Sequence, residues 1–354
     1  MEKENILNRN TKSPYIPLKI SNIDFNEVEP IVPNKTNLFS ELDIETIIYR
    51  YISGGIALRE ARNVPVKNLF LSKEALTKDD YLTLSLLKKS SEFKKTVECI
   101  EGSITLDKLN EINAKILMKS TSKVRENQNW IGGGGIKSAL FIPPRPEKLY
   151  EYLNDLISFA SRDDLSSSLK AIVFHNQLIS LHPFNDGNGR TARAFLESMT
   201  SSNKRSIPLS AYRLASNQDY GSSLEESRIS IGALANEKYW LRAKDWVNNL
   251  QNSLEKHLSE SKKIISSHFI LSNNKFDINR LVRTFIKKPL ICLDNFPDYL
   301  HIGVNDFDAV LKTISHSKQF KLWRCNNKVV IECVTSMEIY EVFETELFKD
   351  NHEH

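Results

Sequence analysis

Residues 181–193, Leu-His-Pro-Phe-Asn-Asp-Gly-Asn-Gly-Arg-Thr-Ala-Arg, restrict the fold of this chain more than any other stretch. An amphipathic pattern predicts a helix that begins near residue 167. This helix has to end before His182, because Pro183 disfavours α geometry in the residue that precedes it. Gly187 and Gly189 then predict a tight turn whose backbone N–H groups a ligand can approach closely.

The helix predicted after this turn carries Arg190 and Arg193 in its first turn. Exposed cations there oppose the helix dipole and cost ~0.3–1 kcal/mol each. A bound anion removes the conflict, because helix N-terminal amides and guanidinium groups together bind phosphate. Asp186 can hold a divalent cation against phosphate oxygens, and His182 can act as a general base beside them. The pattern therefore indicates phosphoryl or nucleotidyl transfer.

Each of these residues alone has a plainer interpretation, as a surface turn, a solvated helix start or a capping histidine. The conjunction of all of them at these spacings favours the site. His175 lies two helical turns before His182, so a zinc site with Asp186 is an alternative. The spacing matches no recognised zinc pattern, and local packing of His175 is the preferred interpretation.

The stretch from His182 to Arg193 matches the Fic family signature HxFx(D/E)GNGRxxR at every specified position. Upstream, 125–132 and 141–144 resemble the flap region of that family. Downstream, 209–220 resembles the segment that lines its nucleotide pocket. The likeness covers roughly residues 103–258.

The resemblance implies a protein adenylyltransferase that moves AMP from ATP, with Mg²⁺, onto a Ser, Thr or Tyr hydroxyl of a target protein. His182 would deprotonate that hydroxyl for attack on the α-phosphorus, and Phe184 would anchor the loop. Asp186 would hold the metal ion. The other implied site residues are the anion hole of Gly187, Asn188 and Gly189, the phosphate ligands Arg190 and Arg193, the nucleotide contacts Asn217 and Tyr220, and the target-docking flap of Ser138, Ala139, Leu140 and Phe141.

Many Fic enzymes carry an inhibitory helix with the pattern (S/T)xxxE(G/N), whose glutamate pairs with the second arginine of the motif. The corresponding segment here is the predicted helix near 41–62, with Glu60 as the candidate glutamate. Ile56 and Ala61 depart from the pattern, and a solvated surface glutamate is the alternative. Glu101 gives a second partial match.

Two alternatives to AMP transfer stay open. The same fold can use another donor and transfer UMP, phosphocholine or phosphate, because the motif holds phosphates and does not read the base. The chain can also be a winged-helix transcriptional regulator that senses a nucleotide. Self-modification and a homodimer are further open alternatives among the partners.

The chain as a whole is predicted to be mainly α-helical, with three parts. Residues 1–102 form an arm and a helical region, 103–258 the Fic core with a β-hairpin flap, and 259–354 a small winged-helix-like α+β domain. The third part is predicted from a hairpin around Asn326-Asn327 that follows two helices. The main predicted helices span residues 79–89, 105–118, 147–160, 167–180, 190–200, 219–227, 237–259, 278–286 and 305–315.

The charge balance does not favour nucleic acid. The net charge is +4 over 354 residues, which lacks the concentrated basic stripe of a dedicated nucleic-acid-binding protein. The candidate recognition stretch 303–312 also contains Asp306 and Asp308, which would repel phosphates. A protein-docking or dimerising role is preferred for this part of the chain.

Apolar residues make up 40% of the sequence and charged residues 26%, an ordinary globular composition. The segment 1–11 lacks the apolar stretch of a signal peptide, and no apolar run reaches the ~20 residues of a membrane span. The cysteines, at 99, 292, 325 and 333, form no CxxC pair. These features predict a cytoplasmic protein without a membrane partner.

Overall fold

The computed structural model describes residues 13–25, 31–44, 47–48, 64–74, 81–200, 207–270, 277–300 and 304–348. As predicted, the described part of the chain is mainly α-helical and carries one small antiparallel sheet. The helices of the first part and the core are α1 (Leu38–Glu41), α2 (Val66–Lys73), α3 (Tyr81–Glu98), α4 (Leu106–Leu117), α5 (Leu149–Ala160), α6 (Ser167–Leu181), α7 (Asn188–Thr200), α8 (Tyr212–Ala215), α9 (Asn217–Glu226) and α10 (Glu237–Ile270). The last part contains α11 (Ile278–Lys287), β1 (Leu290–Cys292), α12 (Phe296–Leu300), α13 (Val304–Ser315), β2 (Phe320–Cys325), β3 (Lys328–Cys333) and α14 (Val334–Phe348).

Helix α6 is the central helix of the core. It is buried on nearly every face, which suits its apolar composition and distinguishes it from the amphipathic helices around it. It packs between α5 and α7, and the rings of Phe174 and Phe195 lie 5.2 Å apart across the α6–α7 contact. The first residue of the motif, His182, directly follows the C-terminus of this buried helix.

Helix α4 forms as its sequence predicts. The Thr105 side chain accepts a hydrogen bond from Lys108 N at 3.1 Å and caps the N-terminus. The predicted apolar face of Leu109, Ile112 and Ile116 is buried. This face packs the helix against the core beside α7.

Helix α10 is longer than predicted. It was expected to end at Ser259 and instead continues to Ile270, so the predicted boundary between 258 and 259 lies inside a continuous helix. The reason is that its apolar stripe does not stop there, since Leu254, Leu258 and Ile265 are all buried. Helix α10 packs against both the core and the C-terminal part.

The C-terminal part contains the two predicted helices, as α11 and α13, followed by the predicted hairpin, and between those helices lie a strand and a helix that were not predicted, β1 and α12. Its sheet order is β1-β3-β2, with all pairs antiparallel. Asn326 and Asn327 have φ values of 46° and 64°, as a two-residue type I′ turn requires, and the predicted hairpin is confirmed. Helix α14 then returns to pack on α10 and α2.

A buried carboxylate joins the N-terminal region to the C-terminal part. Glu74, directly after α2, is 3% exposed. It accepts hydrogen bonds from Tyr299 Oη at 2.8 Å, Asn295 Nδ2 at 3.0 Å and Cys292 N at 3.2 Å, and it pairs with Lys288 Nζ at 3.3 Å. This number of donors compensates the cost of burying the charge.

The described part of the arm lies on the core. The Asp155 carboxylate in α5 accepts hydrogen bonds from Ile20 N at 2.6 Å and from the Ser21 hydroxyl at 2.6 Å. Lys19 pairs with Glu151 at 2.7 Å. Residues 13–25 of the arm therefore lie against the core.

Most of the predicted helix 41–62, including Glu60, lies outside the described residues, so the inhibitory role of Glu60 stays a prediction. Among the residues that are described, no helix has the length and apolar character needed to cross a membrane.

Candidate active site

His182 is the C-terminal cap of α6. The helix ends at Leu181 as predicted, and His182 takes up the left-handed conformation with φ 46° and ψ 57°. Its N–H still donates to Leu178 O at 3.1 Å. This conformation is uncommon for a residue other than glycine, and Pro183 prevents the helix from continuing. The side chain is thereby turned out of the helix at a defined point.

The imidazole of His182 has a defined tautomer and a lowered pKa. Its Nδ1 lies 3.3 Å from the carbonyl oxygen of Ile179. Because a carbonyl can only accept, Nδ1 carries the proton and Nε2 keeps its lone pair. Burial lowers the pKa of His182 to about 4, and the charges of Arg125 and Arg228 act in the same direction. The ring is therefore neutral at pH 7.

Arg125 fixes the backbone around His182. This buried side chain donates from Nε to His182 O at 2.9 Å, from one terminal nitrogen to Asn127 O at 2.9 Å and from the other to Pro144 O at 2.6 Å. Its own N–H donates to Pro183 O at 2.8 Å. One guanidinium thus connects the motif to both segments that flank the flap.

A second set of bonds closes the loop after His182. Phe184 is 1% exposed, as expected for an anchor. The side chain of Asn188 accepts from Phe184 N and donates to Phe184 O, both at 2.8 Å, and Asn129 Nδ2 donates to the same carbonyl at 3.2 Å. Asn188, which was predicted to line the anion hole, therefore uses its side chain to hold the loop.

Gly187 occupies a place that only glycine fits. Its φ is +80°, and a Cβ there would lie 2.8 Å from Asn113 Nδ2. The Asn113 amide is itself engaged, donating to Asp186 O and to Thr191 Oγ1 at 3.0 Å each. A side chain at Gly187 would combine backbone strain with the loss of this contact.

Helix α7 begins directly after this turn. The backbone N–H groups of its first turn have no carbonyl partner within the helix. Arg190 and Arg193 lie on its first turns, as predicted. Arg193 is only 4% exposed, and a Cβ on Gly189 would lie 3.1 Å from its Nη1. Burial lowers the pKa of Arg193 to about 9, with the charge of Arg213 acting in the same direction, so the guanidinium remains charged at pH 7. Free amides and a buried cation favour a bound anion here.

His175 and Tyr220 lie against Arg193. His175 is fully buried, with Nδ1 3.0 Å from Asn176 Oδ1 and Nε2 3.3 Å from the Tyr220 hydroxyl. Burial lowers the pKa of His175 to about 3. The Tyr220 hydroxyl is also hydrogen-bonded to Arg193. His175 thus has the local packing role that was preferred, and no cluster of three metal-ligating side chains occurs among the described residues.

Asp186 is the exposed carboxylate of the site, with 68% of its side chain accessible. It accepts from Gly187 N at 2.6 Å and pairs with Arg190 at 3.2 Å. A single accessible carboxylate beside a phosphate site fits Mg²⁺, which is commonly bound by one or two carboxylates together with substrate phosphates and water.

The flap contains less regular strand than predicted. Within it, Ile131 and Phe141 form one isolated antiparallel bridge, and Ile136–Ser138 is a 3₁₀ turn. The intervening glycines have no side chains to make cross-strand pairs. Gly133 has φ +71°, and a Cβ there would lie 2.3 Å from Ser138 O. The chain therefore reverses as expected, but the predicted β-hairpin is reduced to a single bridge.

Arg228 connects the flap to α6, the helix that ends before His182. Its guanidinium lies 3.7 Å from the centre of the Phe141 ring, and its Nε donates to Ser180 Oγ at 2.9 Å. Burial lowers the pKa of Arg228 to about 10. Next to the bridge, Leu140 is 86% exposed, so this predicted docking residue is accessible to another molecule.

The structure thus brings the predicted residues from His182 to Arg193 together in one loop and helix start. Tyr220 lies beside Arg193, whereas the Asn217 side chain lies outside the described set. Arg125, Asn129 and Arg228 were not singled out by sequence reasoning. The first two lie in the stretch that resembles the flap region, which was a usable signal, but Arg228 follows a helix without any motif.

Part of this chain, including the segment from His182 to Arg193, is similar to known proteins. Residues 103–200 match the model of the Fic/DOC family. The chain is similar to protein adenylyltransferase fic-1 of Caenorhabditis elegans, with 27% identity over 143 residues, which are 38% of this chain and 25% of that protein. It is also similar to protein adenylyltransferase Fic of Nematostella vectensis, with 28% identity over 146 residues, 38% of this chain and 30% of that protein.

The match thus spans less than a third of the length of these curated relatives. Among solved structures, a Fic family protein from Desulfovibrio desulfuricans G20 superposes with a TM-score of 0.47 at 12% identity, covering 87% of this chain and 98% of that one.

Proposed function

Since residues 103–200 of this chain are a Fic/DOC domain, we propose that the protein transfers AMP from ATP to a Ser, Thr or Tyr hydroxyl of another protein. The observation that carries the proposal is the presence of a neutral His182, with Nε2 unprotonated, and of a buried cationic Arg193 eleven positions further along the chain. The reaction requires a base that accepts the hydroxyl proton and a site that stabilises negative charge on the phosphates.

In the proposed reaction His182 Nε2 takes the proton of the target hydroxyl. The hydroxyl oxygen forms a bond to the α-phosphorus of ATP, and the bond from that phosphorus to the bridging oxygen breaks, releasing pyrophosphate. The carbonyl of Ile179, which accepts from Nδ1–H at 3.3 Å, stabilises the imidazolium that forms. The neutral starting state of His182 follows from its lowered pKa.

The phosphates would lie at the N-terminus of α7. Its backbone N–H groups, from Asn188 onward, face negative charge that grows on the phosphate oxygens. Arg193 adds a fixed charge that is already desolvated, so it needs no reorganisation during the reaction. Arg190 adds a second, less buried cation.

Asp186 would hold the Mg²⁺ ion, which supplies charge neutralisation to the phosphates when bound. Because Asp186 pairs with Arg190 at 3.2 Å, the same carboxylate serves both cations. Asn217 and Tyr220 remain proposed nucleotide contacts. Tyr220 would act in part by holding Arg193, to which it is hydrogen-bonded.

The target segment would dock against the flap residues Ser138, Ala139, Leu140 and Phe141 as an added strand. Leu140, the most exposed large apolar residue of the described chain, would contact its side chains. The reaction requires ATP, and we place the protein in the cytoplasm, as the sequence predicts.

The experiment is incubation of the purified chain with Mg²⁺ and ATP labelled at the α-phosphate, beside His182→Ala, with a cell lysate as acceptor. We expect covalent label on protein with the wild type and none with His182→Ala. Glu60→Gly, which removes the candidate inhibitory glutamate, is included to raise the signal.

The same assay distinguishes the alternatives. Transfer from γ-labelled ATP alone would make the enzyme a phosphotransferase. Label from UTP or CDP-choline, but not from ATP, would identify another donor. No label from any donor would contradict transferase activity and favour a nucleotide-sensing regulator.

A further inference from the structure

The N-terminal arm is in direct contact with the flap. Tyr15 N donates to Ile142 O at 2.9 Å, and the rings of Tyr15 and Phe141 lie 5.5 Å apart. The Tyr15 side chain is 7% exposed, whereas its neighbour Ile16 is 67% exposed. The arm therefore presents one specific side chain to the flap and is anchored further along by Asp155.

The arm occupies the outer edge of the flap. Phe141 exchanges both of its backbone bonds with Ile131, at 2.9 and 3.2 Å. Because backbone groups of successive residues in an extended chain point to opposite edges, Ile142 O faces away from Ile131, and Tyr15 binds there. Pro14 and Pro17 keep this part of the arm extended.

The contact continues to the catalytic helix. On the flap, Phe141 lies between Tyr15 and Arg228, whose guanidinium is 3.7 Å from the ring. Arg228 in turn donates to Ser180 Oγ, two residues before His182. Contacts therefore run without a break from the arm to the end of α6. They pass from Tyr15 through Phe141 and Arg228 to Ser180, which lies two residues before the proposed base.

We propose that the arm is held against the flap at Ile142 and that Tyr15 is a positioning residue, which holds Phe141 so that the exposed residues before it, with Leu140 foremost, can receive the protein target. The docking part of this inference rests on the proposed function. Tyr15 contacts the flap at Phe141 and Ile142, so we expect ATP binding at α7 not to depend on Tyr15.

The Tyr15 hydroxyl offers a matched control. It is buried and has no hydrogen-bond partner among the described residues. Removing it in Tyr15→Phe keeps the ring and the backbone bond, whereas Tyr15→Ala removes the ring contact with Phe141. Ile16→Ala changes the exposed neighbour and leaves the contact intact.

The test is hydrogen exchange of the amides of residues 131–142 in the full chain, for the wild type and these three variants. We expect exchange about tenfold faster in Tyr15→Ala, because an aromatic contact and its burial are lost, and wild-type exchange in Tyr15→Phe and Ile16→Ala. Trypsin cleavage after the exposed Lys137 should accelerate in the same variant only. The ATP affinity, measured by calorimetry, should be equal in all four proteins.

Wild-type flap exchange in Tyr15→Ala would overturn the proposal. So would faster exchange that extends through α6 together with weaker ATP binding, since that pattern indicates general destabilisation. On an array of peptides that each contain one Ser, Thr or Tyr, Tyr15→Ala should label about tenfold less from α-labelled ATP. Because exchange is measured without transfer, the contact between arm and flap is decided even if the chain uses another donor.

Discussion

Arg125 Nε lies 2.9 Å from the carbonyl oxygen of His182, and the two residues are 57 positions apart in the sequence. All three side-chain hydrogen bonds of Arg125 go to carbonyl oxygens, and Pro183 O accepts from its backbone. Burial lowers the pKa of Arg125 to about 10, which leaves it charged at pH 7. The same side chain thus fixes the loop by its bonds and lowers the pKa of His182 by its charge.

Arg125→Met should abolish most activity without touching the predicted motif. Three carbonyls lose their donor in a buried place, and we expect a loss of about 3 kcal/mol in the free energy of unfolding and at least about a hundredfold in AMP transfer. Urea unfolding and label transfer are the measurements. Lys123→Met is the control, because Lys123 is exposed and only pairs with Glu126. Equal effects of both changes would contradict a positioning role.

Gly187→Ala should be far more damaging than Gly102→Ala. Both glycines have positive φ, +80° and +73°, so both changes carry the strain of about 1 kcal/mol. Only Gly187 also has a neighbour in the way, since its added Cβ would lie 2.8 Å from Asn113 Nδ2. We expect the melting temperature to fall in both variants, and to fall further in Gly187→Ala. ATP binding should weaken only in Gly187→Ala. Equal melting temperatures for the two would mean that Asn113 moves aside without cost.

The pH profile of AMP transfer should reflect the lowered pKa of His182. Since His182 acts unprotonated and its pKa lies at about 4, kcat/KM should be level from about pH 6 to 8 and halve near pH 4. Circular dichroism at each pH controls for unfolding. This control is needed because the pKa of His175 is lowered to about 3 in the folded state, so acid also destabilises the fold. A midpoint at the ordinary histidine value near pH 6.5 would show that burial does not control this residue.

Glu197→Gln should stabilise the protein at high pH. Glu197 is buried beside Arg193 and accepts from Ser210 N at 2.9 Å, and burial raises its pKa from 4.5 to about 7. The folded state therefore binds the proton more tightly than the unfolded state. This stabilisation is complete below pH 4.5 and is lost as the pH rises through 7.

Glutamine keeps the acceptor for Ser210 and does not titrate. We expect the advantage of Glu197→Gln over wild type to grow by about 2–3 kcal/mol between pH 4.5 and 8 in urea unfolding. Glu260→Gln, at an exposed position of α10, should show no such growth. An advantage that stays constant with pH would place the Glu197 pKa at its ordinary value.

Features that depend on neighbouring residues could be predicted from the sequence. Pro183 ended α6 at Leu181, Thr105 capped α4, and Asn326-Asn327 formed the hairpin turn. In each case the residue type acts on its own backbone within a few positions. The motif from His182 to Arg193 is local in the same sense, since the conformation of its loop follows from the turn and the helix start.

Features that depend on distant segments could not be predicted. Arg228 has its role because Phe141 and Ser180 lie beside it, and Tyr15 because its N–H meets Ile142. No periodicity or spacing encodes such contacts. The end of α10 was placed too early for a related reason, since its second half is stabilised by burial against α11 and α14.

Helix α10 has 34 residues and runs from the core into the C-terminal part. At 1.5 Å per residue it is about 51 Å long, so a tilt of about 5° at one end displaces the other by about 4 Å. A molecule that binds the C-terminal part and tilts α10 can therefore displace the residues around Tyr212 and Tyr220. The chain needs no separate linker to carry force from one end to the other.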